Sequence, residues 1–211
     1  MQQQLVSIPG YRVYEYLLVM NPHEELRNRI ETIKNEFSGK YKTALAHYTK
    51  PHITLVKFFA YEMSEEKLFH RLQVIAMGLR PFKIELKDFG SFPSHSIYIN
   101  VTTKLPIQHV VRELKSAQQL MTLNKDAKPH FIEDAHFTIC RKLKPWQYEQ
   151  GWLEYSHRHF SGRFIANGML LLKRPAGAKG YVIDRRFEFQ NLPVATKQGS
   201  LFSPLSPGGG T

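Results

Sequence analysis

The chain has 211 residues, enough for one large domain or two small lobes with a real core. Hydrophobic residues make up 42% and charged residues 22%, an ordinary globular composition; no apolar run approaches the ~20 residues of a membrane span. The net charge of +11, from 29 Lys and Arg against 18 Asp and Glu, favours an anionic partner such as a nucleotide or RNA.

Met1 to Gly10 lacks the basic start and apolar core of a signal peptide and is read as an N-terminal extension. Tyr11 to Met20 reads as a strand. Asn21-Pro22-His23-Glu24 reads as an N-cap, a proline at the first helical position and an acid in the first turn of a helix that ends at Ser38, before Gly39. A second strand is expected from His52 to Phe59, a helix from Ser64 with Leu68, Leu72, Ile75 and Leu79 on one face, and a strand from Pro81 to Phe89. Gly90 to Ser94 reads as a turn. The second half repeats the order: strand Ile97 to Val101, helix Pro106 to Met121, strand His136 to Arg141, and a short aromatic helix Pro145 to Ser156. Strands Phe160 to Lys173 and Tyr181 to Phe189 follow, joined by a turn from Pro175 to Gly180; the Ser-, Pro- and Gly-rich end is expected to be disordered.

Two segments stand out, Pro51-His52-Ile53-Thr54-Leu55 and Ala135-His136-Phe137-Thr138-Ile139. Side chains alternate along a strand, so His52 and Thr54 share a face, as do His136 and Thr138. A third match, His47-Tyr48-Thr49, lies in a polar stretch and reads as loop. A repeat separates the three: a shift of 84 positions carries His52 onto His136, Pro22 onto Pro106, Tyr14 onto Tyr98 and Leu68 onto Trp152. It also carries Leu26, Ile30, Ile33 and Phe37 onto Val110, Leu114, Ala117 and Met121, whereas His47 lands on Phe131.

Two similar halves of alternating strands and helices predict an α+β fold. It is bilobal, with duplicated β-α-β units, two antiparallel-rich sheets about a pseudo-twofold axis, a central cleft and helices on the outer faces. The expected organisation is an extension at 1–10, a two-lobed domain at 11–195 and a disordered tail at 196–211. Its lobes span about 11–94 and 95–190, with strand exchange between them allowed.

The paired His-x-Thr strands, Pro51-His52-Ile53-Thr54-Leu55 and His136-Phe137-Thr138-Ile139-Cys140-Arg141, resemble those of the two-histidine phosphoesterases, the 2′-5′ RNA ligase-like family. Phe89-Gly90-Ser91-Phe92-Pro93 is similar to the family's turn between halves, and Leu170 to Arg174 with Tyr181 to Phe187 to its closing hairpin. The resemblance spans about residues 11 to 190. It implies a metal-independent enzyme, without cofactor, that hydrolyses or reversibly forms RNA or nucleotide 2′,3′-cyclic phosphates and 2′-5′ linkages. The side chains suit that chemistry. Imidazoles exchange protons near neutral pH, and Thr54 and Thr138 can donate hydrogen bonds to phosphoryl oxygens. The resemblance also gives Arg141 a phosphate-binding role, although it lies five residues from His136, on the opposite face of an ideal strand. Its repeat counterpart Lys57 has the same limitation.

Each residue also has a plainer reading. His52 and His136 alone would be core histidines satisfied by backbone; paired, with hydroxyl partners, they point to catalysis. Tyr98 and Phe92 are either core or a surface on which a nucleobase stacks, Tyr98 being the better substrate-binding candidate. No His-Glu-x-x-His or other ligand spacing supports zinc. His130, His157 and His159 read as surface residues, Trp146 and Trp152 as packing, and Cys140 as a small filler. One cysteine excludes an intramolecular disulfide and suits the cytoplasm. A monomer with no obligate protein partner and no membrane association is expected. The competing functions are a non-catalytic RNA- or phosphate-binding module and a same-fold esterase for a non-RNA cyclic phosphate.

Overall fold

The computed structural model describes residues 10–43, 50–93 and 95–193. The third motif match at His47, nearly all of the N-terminal extension and the tail lie outside them.

In chain order the elements are β1 (Val13–Met20), α1 (Glu24–Tyr41), β2 (Ile53–Tyr61), a 3-10 turn (Glu62–Ser64), α2 (Glu65–Gly78), β3 (Phe82–Phe92), β4 (Ser96–Val101), α3 (Leu105–Lys115), β5 (His130–Phe131), β6 (His136–Arg141), α4 (Pro145–Tyr155), β7 (Ser161–Ala166), β8 (Gly168–Pro175) and β9 (Val182–Glu188). They form two antiparallel sheets, β5-β2-β1-β8-β9 and β6-β4-β3-β7. The fold is α+β, as the sequence pattern predicts.

Strands from both halves build each sheet. β3, from the first half, lies between β4 and β7, while β8, from the second, lies between β1 and β9. Two helices of the first half cross over as well: α1 packs on β6 and β7 and α2 on β9, while α4 packs on β4 of its own half and also meets α1. One apolar core of strand and helix residues results, including Tyr16, Leu18, Ile30, Phe37, Phe58, Ile97, Phe137, Leu171 and Phe187. Of the expected stripe, Leu26, Ile30 and Phe37 are buried and Ile33 is partly buried against the core; Val110, Leu114, Ala117 and Met121 are all buried. Burial of each large apolar side chain is worth about 1.5–3 kcal/mol.

Local punctuation is overridden in several places. Gly39 does not stop α1, which runs on to Tyr41 and ends where Lys42 takes a left-handed conformation (φ 50°). The ring of Tyr41 packs 4.6 Å from that of Phe37 and its hydroxyl donates to Glu154 at 2.6 Å; this packing outweighs the ~1 kcal/mol cost of a helical glycine. His23, with no side-chain cap, replaces the expected Asn21 at the N-cap. α3 stops at Lys115 and continues as turns, which still bury Ala117 and Met121. Gly90 belongs to β3, not to a turn, because a Cβ there would sit 2.5 Å from the ring of Tyr98 and from Asn100 Oδ1. Finally, Phe160 to Lys173 is two strands. β7 edges one sheet, and after Asn167 the chain crosses to become β8 in the other. Their apolar residues are continuous in sequence, so periodicity alone could not find the break.

Candidate active site

Each motif histidine is held by the backbone two residues before it. The Nδ1–H of His52 donates to the carbonyl of Lys50 at 2.7 Å, and that of His136 to the carbonyl of Asp134 at 2.8 Å. A carbonyl can only accept, so Nδ1 carries the proton and Nε2 is left with its lone pair. His95 makes the same bond to Pro93 at 2.9 Å, so the bond alone marks nothing. What distinguishes His52 and His136 is the strand that follows each.

Both strands contain a bulge at the same point of the repeat. In β2, Val19 of β1 pairs with Thr54 but Leu18 with Val56, leaving Leu55 without an opposite number. In β6, Tyr98 of β4 pairs with Thr138 but Ile97 with Cys140, leaving Ile139 over. Leu55 and Val56, like Ile139 and Cys140, are therefore buried in succession. A bulge advances the pleat by one residue, so Lys57 returns to the face of Thr54 and Arg141 to the face of His136 and Thr138. The objection from ideal alternation is removed. Arg141 is exposed and lies within electrostatic reach of His52. The signal was in the sequence: Leu55-Val56 and Ile139-Cys140 each break the alternation with two adjacent apolar residues.

The two motif strands are tied together. β5 pairs with β2, matching Phe131 to Val56, and the N–H of Ile132 donates to Leu55 O at 3.0 Å. Only residues 133–135 then separate Ile132 from His136, so β6 begins close to β2, and these strands approach one another across the two sheets. β5 was not foreseen.

His136 stands against an aromatic wall. Its ring centroid is 4.8 Å from that of Tyr98 and 5.2 Å from that of Phe92, and these two rings are 4.8 Å apart. Asn100 lies opposite His136 in the β4–β6 ladder. Tyr98 is half-buried and its hydroxyl is held above the usual range, first by burial and then by Asp134, with Lys104 opposing. Tyr14 is not its structural counterpart. The residue opposite Thr54 is Val19, whereas the residue opposite Thr138 is Tyr98, so the 84-residue register of motifs and helices slips by five in the first strand.

Burial lowers the pKa of both histidines. The bond to Lys50 opposes this at His52, while the cations Lys34 and Arg141 add to it. At His136 the bond to Asp134 and the carboxylate of Asp134 both oppose it. Both imidazoles are therefore held toward the neutral form, with cations adding to the effect at His52 and a carboxylate opposing it at His136. Lys34, buried midway along α1, went unnoticed because its position in the helix stripe gives no sign of the neighbouring sheet.

The remaining residues divide simply. Cys140 is buried, its thiol pushed up by that burial. His130, His157 and His159 are all exposed; the last two lie around the end of α4, whereas His130, on β5, stands opposite Lys57 of β2. Trp152 packs on the core and Trp146 is exposed at 44%, so only the first fits a packing stripe. Among the described residues, no group of three His, Cys, Asp or Glu side chains is placed to hold a metal ion, and no helix is long and apolar enough to cross a membrane.

A family model for the 2′-5′ RNA ligase superfamily matches residues 22–178. No curated protein is similar enough in sequence to count as a relative. Among solved structures, E. coli LigT complexed with NADP+ shares 14% identity at a TM-score of 0.56, covering 86% of this chain and 99% of that one. TT0787 of Thermus thermophilus shares 15% at 0.58, covering 83% and 98%. E. coli LigT complexed with 3′-AMP shares 15% at 0.54, covering 84% and 98%. These likenesses show a shared fold. The family model spans most of the chain and both histidine motifs, and with it the chain belongs to the 2′-5′ RNA ligase superfamily, the two-histidine phosphoesterases.

Proposed function

We propose that this protein is a metal-independent phosphoesterase that opens 2′,3′-cyclic phosphates of RNA or nucleotides, and with an RNA 5′-hydroxyl attacking in place of water forms 2′-5′ linkages. The observation that carries the reading is the matched pair of bulged strands, which supports His52, Thr54, His136, Thr138 and Arg141 acting on one phosphate. One imidazole takes the proton of a water through Nε2 while the water oxygen bonds to phosphorus. The phosphorus–oxygen bond to the sugar breaks, and the second imidazole, protonated, gives its proton to the departing oxygen. Thr54, Thr138 and Arg141 donate to the phosphoryl oxygens, where charge builds. Tyr98, with Phe92, takes the nucleobase. Residues 11–195 work as one two-lobed phosphoesterase domain. Related LigT structures hold 3′-AMP, ATP and NADP+, which accords with a nucleotide substrate.

Incubation with nucleoside 2′,3′-cyclic phosphates and a cyclic-phosphate-ended oligonucleotide, in the presence of a chelator, tests the reading. Hydrolysis is expected to persist with chelator. It should fall by about 10²–10⁴ in His52→Ala and in His136→Ala and continue in His47→Ala. Loss on chelation overturns the metal-free mechanism. RNA binding without turnover of any cyclic phosphate would instead identify a binding module.

A further inference from the structure

Beside the motif face of β2 lies a group of charges that the reaction does not use. Glu15, on β1, has a side chain only 4% exposed, yet it is bound by two cations that reach solvent, Lys57 at 44% and Arg174 at 24%. Arg174 donates from Nε to Glu15 Oε2 at 2.6 Å and adds Nη2 to the same oxygen; Lys57 Nζ pairs with Oε1. Glu15 stands opposite Phe59 of β2 and Arg174 of β8, and Lys57 stands opposite Leu17, two residues along β1. The bulge at Leu55 puts Lys57, and with it this group, on the face that carries Thr54.

Burial works to raise the Glu15 carboxyl, but the bonds and charges of Lys57 and Arg174 outweigh it and hold the acid ionised. One buried carboxylate thus orients two cations, and one positive charge is left over. Arg174 also lies 4.3 Å from the centroid of the Tyr181 ring, and Tyr181 is within electrostatic reach of Arg141. Among the described residues Arg141 has no carboxylate partner, so the net positive charge continues from this group toward His52. Nη1 of Arg174 and two of the three Lys57 donors have no acceptor among the described residues. A structural ion pair needs one cation for one carboxylate. A second cation, fixed and solvent-facing on the motif face, is what an additional anion requires.

We propose that Lys57, Arg174 and Tyr181 form a second phosphate subsite, which binds the phosphate on the 5′ side of the nucleoside whose cyclic phosphate lies at the histidines. The inference rests on the proposed phosphoesterase site and narrows its substrate to molecules with a second phosphate. Lys57 and Arg174 donate to the phosphate oxygens, and Tyr181 backs the guanidinium. The second phosphate comes either from a 5′-phosphorylated mononucleotide or from the preceding link of an oligonucleotide.

Calorimetry reads the subsite without turnover. Adenosine 3′,5′-bisphosphate is expected to bind at least about tenfold more tightly than 3′-AMP, as befits charge-assisted bonds to a second phosphate. The preference should collapse toward unity in Glu15→Gln/Lys57→Gln/Arg174→Gln, which removes both phosphate donors and strands no buried charge, and survive in part in Arg174→Lys. Circular dichroism verifies that each variant is folded. Equal affinities in the wild type, or a preference retained in the triple variant, overturn the proposal and make the group a structural pin. Because binding is measured, failure of the enzyme to turn over cyclic phosphates would sink the proposed function and leave this result standing. The source of the phosphate follows from kcat/KM for adenosine 2′,3′-cyclic phosphate, its 5′-phosphorylated form and a dinucleotide ending in the cyclic phosphate. A gain for the 5′-phosphorylated form alone supports a mononucleotide substrate, and a gain for the dinucleotide as well supports an oligonucleotide. No gain for either overturns the subsite.

Discussion

His52 and His136 share the same backbone bond and the same place in the repeat, but their surroundings differ in charge. Arg141 and Lys34 stand near His52, whereas Asp134 stands near His136. His52 is therefore expected to titrate at a lower pH than His136, as followed by the imidazole proton signals in NMR. Arg141→Ala should raise the His52 midpoint and reduce kcat/KM for a cyclic phosphate by about tenfold or more; an unmoved midpoint would show that Arg141 does not act on His52. The lowered values also bear on stability. Between pH 7 and 5 the unfolded chain takes up protons on these histidines while the folded chain resists them, so stability falls as pH falls through the ordinary histidine range. Urea unfolding at pH 7.5 and 5.5 measures the loss, and His52→Gln should make the dependence shallower. The residues proposed to carry the chemistry were legible at this scale, because a His-x-Thr pair on a strand needs only alternation to be read. Lys34 and Glu15 were not, since a charge inside an apolar stripe gains meaning only from the neighbour it meets.

At the scale of elements, β6 runs from His136 to Arg141 as expected, and the strands and helices occur in the expected order. The faces within strands were harder to read. Arg141 was assigned to the wrong side of β6 by ideal alternation, and the Ile139 bulge restores it. Gly39 and Gly90 were read as breaks and are continuous helix and strand, because packing by Tyr41 and close approach by Tyr98 require those conformations. Another glycine marks where helices from the two halves meet. A Cβ on Gly151 of α4 would lie 2.8 Å from the Phe37 ring of α1. Gly151→Ala should accordingly destabilise the protein by about 1–3 kcal/mol, despite its better helix propensity. Denaturant unfolding tests this, and a stabilised variant would refute the tight packing.

Across the whole molecule, the net charge of +11 and the cations on the motif face predict a salt-sensitive encounter with an anionic substrate. KM for an oligonucleotide should rise steeply between 50 and 200 mM salt, and less for a mononucleotide that covers fewer cations. A KM independent of salt would indicate that the charge serves solubility. Sequence by itself determined the two motifs, the repeat that joins them, the α+β class and the order of elements, because each depends on local periodicity. Tertiary structure alone decided that β3 and β8 join the sheets of the opposite halves, that Phe160 to Lys173 is divided between two sheets, and that the first strand slips by five residues against the repeat. The physical reason is common to all three. Strand pairing is a non-local choice among edges of similar apolar character, and the sequence records which residues are buried without recording against which partner.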